Sequence, residues 1–455
     1  MRREYWLVLA LIIFCFTLFG YQIGAPSLFE EDEATIAAVS LEMVQTGDPV
    51  TMRYNYKPWF HKPPLYIWLA ALCLKLFGLT EFAVRLPSLL FGLGTVWLIY
   101  LLGKNMFDKE TALYALLMGA ASLLLIILSR AGFVDTPLTF FITLAFYCYY
   151  RGFYKGKNIR LQLLFFLSSA LAVLSKGPLG IIIPFTVIFL HLILNRQIKP
   201  IAENWIAILL GSALMFIVGL PWWVIETAIH GRPFIESLFG KFMFGIYATT
   251  FQAHSAPFYF YLLVILIGFF PWSFFFPYSA YAKKGNSLLW LWFGVVFILF
   301  STAQTKIPGY ILPLFPPLAL LTAAAWPKNK TGKYLLISGC GLVAVMILSA
   351  IFILVPIGEK YKPGKYLARQ ILKEKPANIK YYNYKTWLRS GLLFYLGREI
   401  KLLDGKKELI QTLNSKEPVI CFMDPKDYAE FKKELPLRAK IGAEGFELLY
   451  LQNFK

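Results

Sequence analysis

Four acids in succession, Glu30-Glu31-Asp32-Glu33, stand a few residues after an apolar run long enough to enter a membrane. Charge beside hydrocarbon is costly and usually functional. Clustered carboxylates repel one another, which raises one pKa and suits a general base. Asp32 is the candidate, with Glu33 as support; the competing reading is a solvated loop that caps a helix beginning near Ala34. The same loop ends in Trp59-Phe60-His61-Lys62-Pro63-Pro64. Lys62 can hold a phosphate as a point charge, and His61 can ligate a metal. Asp135, in Ser129-Arg130-Ala131-Gly132-Phe133-Val134-Asp135-Thr136-Pro137, is either a second catalytic or structural acid or the N-cap of the helix that follows. Lys306 and Tyr310 add a cation and a hydroxyl at another membrane edge, with a snorkelling lysine as the alternative. The chain has four histidines. His191 reads as structural, whereas His61 and His254 fall on one face. Two ligands fall short of a zinc site, which takes three or four. Together the polar groups fit an anionic head group better than a metal alone.

The elements that position these residues are membrane helices. Of 455 residues, 58% are hydrophobic, 17% aromatic and only 16% charged, a balance foreign to soluble domains. The net charge of +19 comes from lysines and arginines in short loops and in the tail. That placement fits topology signals and anionic lipid contacts and argues against nucleic acid. Apolar runs of crossing length lie near 5–24, 83–103, 111–128, 161–194, 205–225, 258–280, 287–302, 309–325 and 333–356, with a shorter one at 137–150. Ser175-Lys176-Gly177-Pro178 splits 161–194 in two, giving eleven crossings. The stretch 65–78, short and carrying Lys75, is interfacial, re-entrant or a further span. The first apolar run is too long for a signal peptide and reads as a retained span.

If the N-terminus is cytoplasmic and 65–78 does not cross, the basic loops at 104–109, 151–160, 195–199, 283–284 and 328–333 all face the cytoplasm, as the positive-inside rule asks. The loop 25–64, the turns 129–136, 175–178 and 302–308, the segment 226–257 and the tail then share the outer face with all the candidate chemistry. Residues 1–356 form the membrane domain. Residues 357–455 change to a lysine- and glutamate-rich composition with strand-like runs at 418–423 and 446–451 and a helical pattern at 426–434, which predicts a small α/β domain outside. Five cysteines without CxxC spacing give neither a disulfide framework nor a thiolate metal site. Phosphate loops, GxSxG and HExxH are absent, and the glycines at 92, 94, 339 and 341 read as helix-packing positions.

The ordered strings EDEATIAAVSLEMVQTGDPV, KPWFHKPPLYIWLAAL, EFAVRLPS, SKGP, PWW, HSAPFYFYL and TKIPGYILPLFPPLALL resemble the membrane glycosyltransferases related to protein mannosyltransferases. The nearest subgroup is the lipid A aminoarabinose transferases of the ArnT type, which share the GT-C fold. The resemblance spans about residues 5–325 and implies a polytopic α-helical protein of about 11–13 transmembrane helices with a small extra-cytoplasmic α/β domain. It implies a polyprenyl-phosphate-linked sugar donor used at the periplasmic face of the bacterial inner membrane, a lipid A-like glycolipid as acceptor, and no nucleotide. By that resemblance Asp32 matches the catalytic acid, Lys62 and Tyr310 match groups on the lipid phosphate, and His254 matches a histidine that holds zinc with a loop acid. His61 stands where the family has glutamate in Phe-Glu-Lys-Pro, and Thr35 stands where an arginine often follows the Asp-Glu pair.

Direct displacement at the anomeric carbon follows as the expected mechanism. Asp32 acts as base or orienting acid, supported by Glu33 or Asp135, and Lys62, Lys306 and Tyr310 stabilise the departing phosphate. A protein O-mannosyltransferase-like enzyme shares this logic with a different acceptor. A polytopic transporter would show internally repeated halves, and the sequence has no such repeat.

Overall fold

The computed structural model describes residues 11, 13–196, 202–248, 255–282, 286–373, 378–385, 389–436, 440–445 and 448–454. Contacts divide the chain into two compact units. The first comprises Met1–Tyr21, Phe60–Leu69 and Arg85–Leu348; the second comprises Gln22–Trp59, Ala70–Val84 and Ser349–Lys455.

The first unit is helical. Among the described residues five helices are long and apolar enough to cross a membrane: Glu81–Met106, Ile159–Lys176, Trp205–His230, Pro308–Ala325 and Lys330–Glu359. A sixth is counted if the pair Lys109–Ala120 and Leu123–Ser129, bent by 59°, is one span. Other apolar runs give shorter or broken helices, including Leu65–Phe77, Leu179–Leu194 and Ser287–Ser301, and part of the run at 5–24 lies outside the described residues. The run near 258–280 divides into Phe260–Gly268, Trp272–Phe274 and Phe276–Tyr281, interrupted where Pro271 denies the backbone an N–H donor. Trp205–His230 and Lys330–Glu359 each bury only 22% of their apolar window, so these helices keep large faces for lipid.

The split expected within 161–194 is present. Ile159–Lys176 ends at Gly177, whose φ of 71° an L side chain rarely adopts, and Leu179–Leu194 begins just beyond Pro178. Polar contacts fall at the two ends of that helix. At one end Lys157 pairs with Glu203 at 2.8 Å. At the other Lys176 pairs with Asp135. Two of the basic loops, near 104–109 and 328–333, are tied together, since Lys328 Nζ lies 2.6 Å from Asp108 and Lys333 lies 3.0 Å from Glu110.

The second unit is built on a sheet. The strands are β1 (Arg53–Tyr54) and β2 (Lys57–Pro58), an antiparallel pair, then β3 (Lys380–Tyr384), β4 (Ile400–Leu403), β5 (Val419–Met423), β6 (Lys440–Gly445) and β7 (Leu448–Gln452). The last five form one sheet in the order β4-β3-β5-β7-β6; β3 is parallel to β4 and β5, and β7 is antiparallel to β5 and β6. The strand runs expected at 418–423 and 446–451 are β5 and β7, with 446–447 outside the described residues. Alternation sends Ile420, Phe422, Leu448 and Tyr450 to one core and Cys421, Met423, Leu449 and Leu451 to the other. A sheet covered on both faces needs apolar residues at every position, which is why β5 reads as an unbroken run. The first core is closed by Leu367 and Ile371 of Pro363–Lys373 and by Ala34, Ala37, Ala38 and Leu41 of the helix Asp32–Thr46. The acid loop therefore packs with the C-terminal sheet. None of the five cysteines is bonded to another.

Candidate active site

Within the first unit, the turn that breaks the 161–194 run supplies a side chain the sequence reading passed over. Lys176, the last residue of its helix, makes an ion pair with Asp135, the first residue of Asp135–Tyr149. Both side chains are largely buried. The same ammonium lies 3.9 Å from the centroid of the Tyr310 ring. Asp135, Lys176 and Tyr310 thus form one group, in which the aromatic face and the carboxylate share a cation. Lys176 had one sequence signal: a lysine set in a four-residue polar break between two apolar runs.

The segment before Tyr310 is fixed by backbone contacts. Ser255 bridges to Thr305, Gln304 N donates to Tyr247 O at 3.0 Å, and Tyr261 hydroxyl donates to Ile307 O at 3.2 Å. Lys306, expected among the phosphate ligands, is buried and donates to the Ala303 carbonyl.

Lys62 is half-buried and follows two clamped rings. Phe60 packs on His230 at 5.0 Å and on Phe234 at 5.4 Å between centroids. His61 stacks on Phe242 at 3.7 Å. Pro63 and Pro64 then limit the backbone ahead of the helix Leu65–Phe77. One residue beyond Phe242, Met243 closes over Gly177, where a Cβ would meet its Cε at 2.3 Å. The segment 241–243 therefore touches both the His61-Lys62 corner and the turn beside Lys176. Burial first, and then the charges of Lys62 and Lys241, push the His61 imidazole down to about 4. It is neutral at physiological pH.

A neutral imidazole is the form that binds metal, but neighbouring lysines oppose a cation. Among the described residues no three His, Cys, Asp or Glu side chains gather as a metal would require. His254 lies outside the described residues. The described surroundings of His61 suit an anion better than zinc.

In the second unit, Asp32 is exposed at the first turn of Asp32–Thr46, where the helix dipole favours negative charge. Its neighbour Glu33 is fully buried, and its carboxylate accepts from Phe29 N at 2.8 Å. Thr35 Oγ1 lies 2.8 Å from Ser390 Oγ, so the threonine found in place of the family's arginine is engaged with the C-terminal part of the chain. Glu30 accepts from Gly391 N at 3.1 Å, and burial holds its carboxyl above the usual glutamate value against the pull of that hydrogen bond and of Arg389 and Lys362. Three of the four consecutive acids, Glu30, Asp32 and Glu33, thus have distinct surroundings.

Comparison with known proteins gives the chain relatives. Residues 61–225 match the family described as dolichyl-phosphate-mannose-protein mannosyltransferase. An uncharacterised protein of Aquifex aeolicus (strain VF5) is 30% identical over 432 residues, covering 90% of this chain and 84% of that protein. The undecaprenyl phosphate-alpha-4-amino-4-deoxy-L-arabinose arabinosyl transferase 2 of Proteus mirabilis (strain HI4320) is 26% identical, covering 90% of this chain and 80% of its own. The crystal structure of ArnT from Cupriavidus metallidurans bound to undecaprenyl phosphate shares the fold, with a TM-score of 0.85 at 20% identity and 98% of each chain covered. The chain belongs to the ArnT-like GT-C glycosyltransferases. As in that fold, this ArnT-like chain joins a multi-pass helical membrane part to a small C-terminal sheet.

Proposed function

We propose that the protein transfers a sugar from an undecaprenyl-phosphate-type donor to a lipid A-like glycolipid, at the periplasmic face of the inner membrane. The observation that carries the reading is the neutral His61 stacked on Phe242 within the fields of Lys62 and Lys241, with clamped rings before Lys62 and prolines after it. A half-buried cation next to a neutral hydrogen-bonding ring suits a lipid phosphate, which enters as diester and leaves with more charge.

In the reaction, an acceptor oxygen forms a bond to the anomeric carbon while the bond from that carbon to the phosphate oxygen breaks. Asp32 orients the acceptor and takes its proton. Lys62 meets the developing charge on the departing polyprenyl phosphate, with Tyr310 and Lys306 assigned to the same task. The Asp135–Lys176 pair holds the cation against Tyr310, so Asp135 supports by position. Glu33 supports by fixing the backbone before Asp32. His61 and His254 are the residues that zinc would use, and no step here depends on it.

The test uses purified protein in nanodiscs with undecaprenyl-phosphate-linked aminoarabinose, uronic acid or hexose, and with lipid A or a peptide as acceptor. Glycosylated lipid A from the wild type, and none from Lys62→Ala, is the expected result. Transfer to peptide alone would instead make the enzyme a protein glycosyltransferase. Metal analysis of the wild type against His61→Ala and His254→Ala measures any zinc.

A further inference from the structure

Asp32 extends from a backbone that needs support. Glu31, directly before it, has φ of 70°, a positive-φ conformation that glutamate keeps only where its surroundings enforce it. The enforcing contacts come from two consecutive residues far along the chain. Gly391 N donates to Glu30 Oε2 at 3.1 Å, two residues before Asp32. Ser390 Oγ lies 2.8 Å from Thr35 Oγ1, three residues after it. The hydroxyl of Tyr54 lies 2.8 Å from the same Ser390 Oγ and fixes it from the other side. The fit around Glu30 is close. A Cβ on Gly391 would stand 2.5 Å from Glu30 Oε1, and one on Gly364 would stand 3.3 Å from it. Further along the loop, Tyr395 hydroxyl accepts from Leu28 N at 3.0 Å, and Glu359 accepts from Ser27 N and Oγ at 3.1 and 2.6 Å.

We propose that the Ser390-Gly391 step is a positioning element for Asp32, setting the direction of its carboxylate by gripping the chain on both sides of it. The inference rests on Asp32 acting in transfer as proposed above. It gives the C-terminal sheet domain a part in the reaction without contact with either substrate. Ser390, Gly391 and Glu30 are positioning residues: they act through the backbone of Glu31 and Asp32. A displacement on the order of 1 Å at a reacting group can cost about 100-fold in rate.

The test is steady-state transfer by the full-length protein in nanodiscs, with undecaprenyl-phosphate-linked 4-amino-4-deoxy-L-arabinose and lipid A, alongside amide exchange at Ala34 and Thr35. Glu30→Ala removes the acceptor of the Gly391 N–H, and Gly391→Ala crowds it out. Each is expected to lower kcat by about 10- to 100-fold with KM nearly unchanged, and to speed exchange at the two amides. Glu30→Gln keeps an oxygen acceptor and is expected to recover most of the loss. In an Asp32→Asn background neither substitution should lower the residual rate further. Wild-type kcat in Glu30→Ala and Gly391→Ala, with Asp32→Asn inactive, would overturn the positioning role and leave the Asp32 role standing. An active Asp32→Asn would overturn both. A loss in Glu30→Gln equal to that in Glu30→Ala would also contradict it.

Discussion

Asp32 and Asp135 are each the first residue of a helix, and each follows a membrane-edge segment. Their fates differ. Asp135 is buried and its charge is matched by Lys176, which lies on the Tyr310 ring. Asp32 is exposed, and the chain around it is held by contacts to its neighbours. A carboxylate matched inside a protein is part of its framework, whereas one kept accessible on a braced backbone is available for chemistry. Helix position alone does not distinguish the two; burial does.

The largest expected effect breaks the framework half of this comparison. Lys176→Met leaves Asp135 buried without its cation and should destabilise the protein by about 3–5 kcal/mol, seen as a lower unfolding temperature in detergent. Adding Asp135→Asn should restore part of that loss. Asp32→Asn should change stability by no more than about 0.5 kcal/mol. If the two aspartates destabilise equally, the distinction fails.

Glu33→Ala comes next. It leaves the Phe29 N–H without its acceptor and should cost about 1–3 kcal/mol, while Glu33→Gln retains most of the stability. Tyr310→Leu removes the ring beneath Lys176 and should cost roughly 0.5–2 kcal/mol, with Tyr310→Phe closer to wild type. Equal losses in both would assign the effect to the hydroxyl.

The smallest effect concerns pH. The folded-state pKa of Glu30 is raised above its ordinary 4.5. Its contribution is therefore full below that value and is lost as pH rises through the folded pKa. Glu30→Gln should raise the unfolding temperature at neutral pH, and the gain should shrink as pH falls toward 4.5. A gain that is constant with pH would show that Glu30 does not titrate in this way.

Much of this was legible in the sequence. Apolar runs, the Ser175–Pro178 break and the alternating tail gave the helices, the split near Gly177, and strands β5 and β7. The pairing of Glu33 with Phe29 was not legible; the acids read as a cap on the helix near Ala34, and Glu31 at the cap position makes no side-chain cap hydrogen bond. Lys176 was not singled out, because its partner lies 41 positions away and no local pattern joins them. Lys241 was missed too, a lone cation within the aromatic-rich stretch 238–244. The packing of the acid loop with the C-terminal sheet depends on contacts more than 350 positions apart, and a composition change near residue 357 points to a boundary while such contacts cross it.

The most direct measurement is glycosyl transfer by Asp32→Asn beside Asp135→Asn, in nanodiscs with an undecaprenyl-phosphate-linked sugar and lipid A. Asp32→Asn is expected to keep the wild-type unfolding temperature and lose roughly 10²- to 10⁴-fold in kcat, while Asp135→Asn loses stability along with rate. Wild-type turnover by a folded Asp32→Asn protein would contradict it.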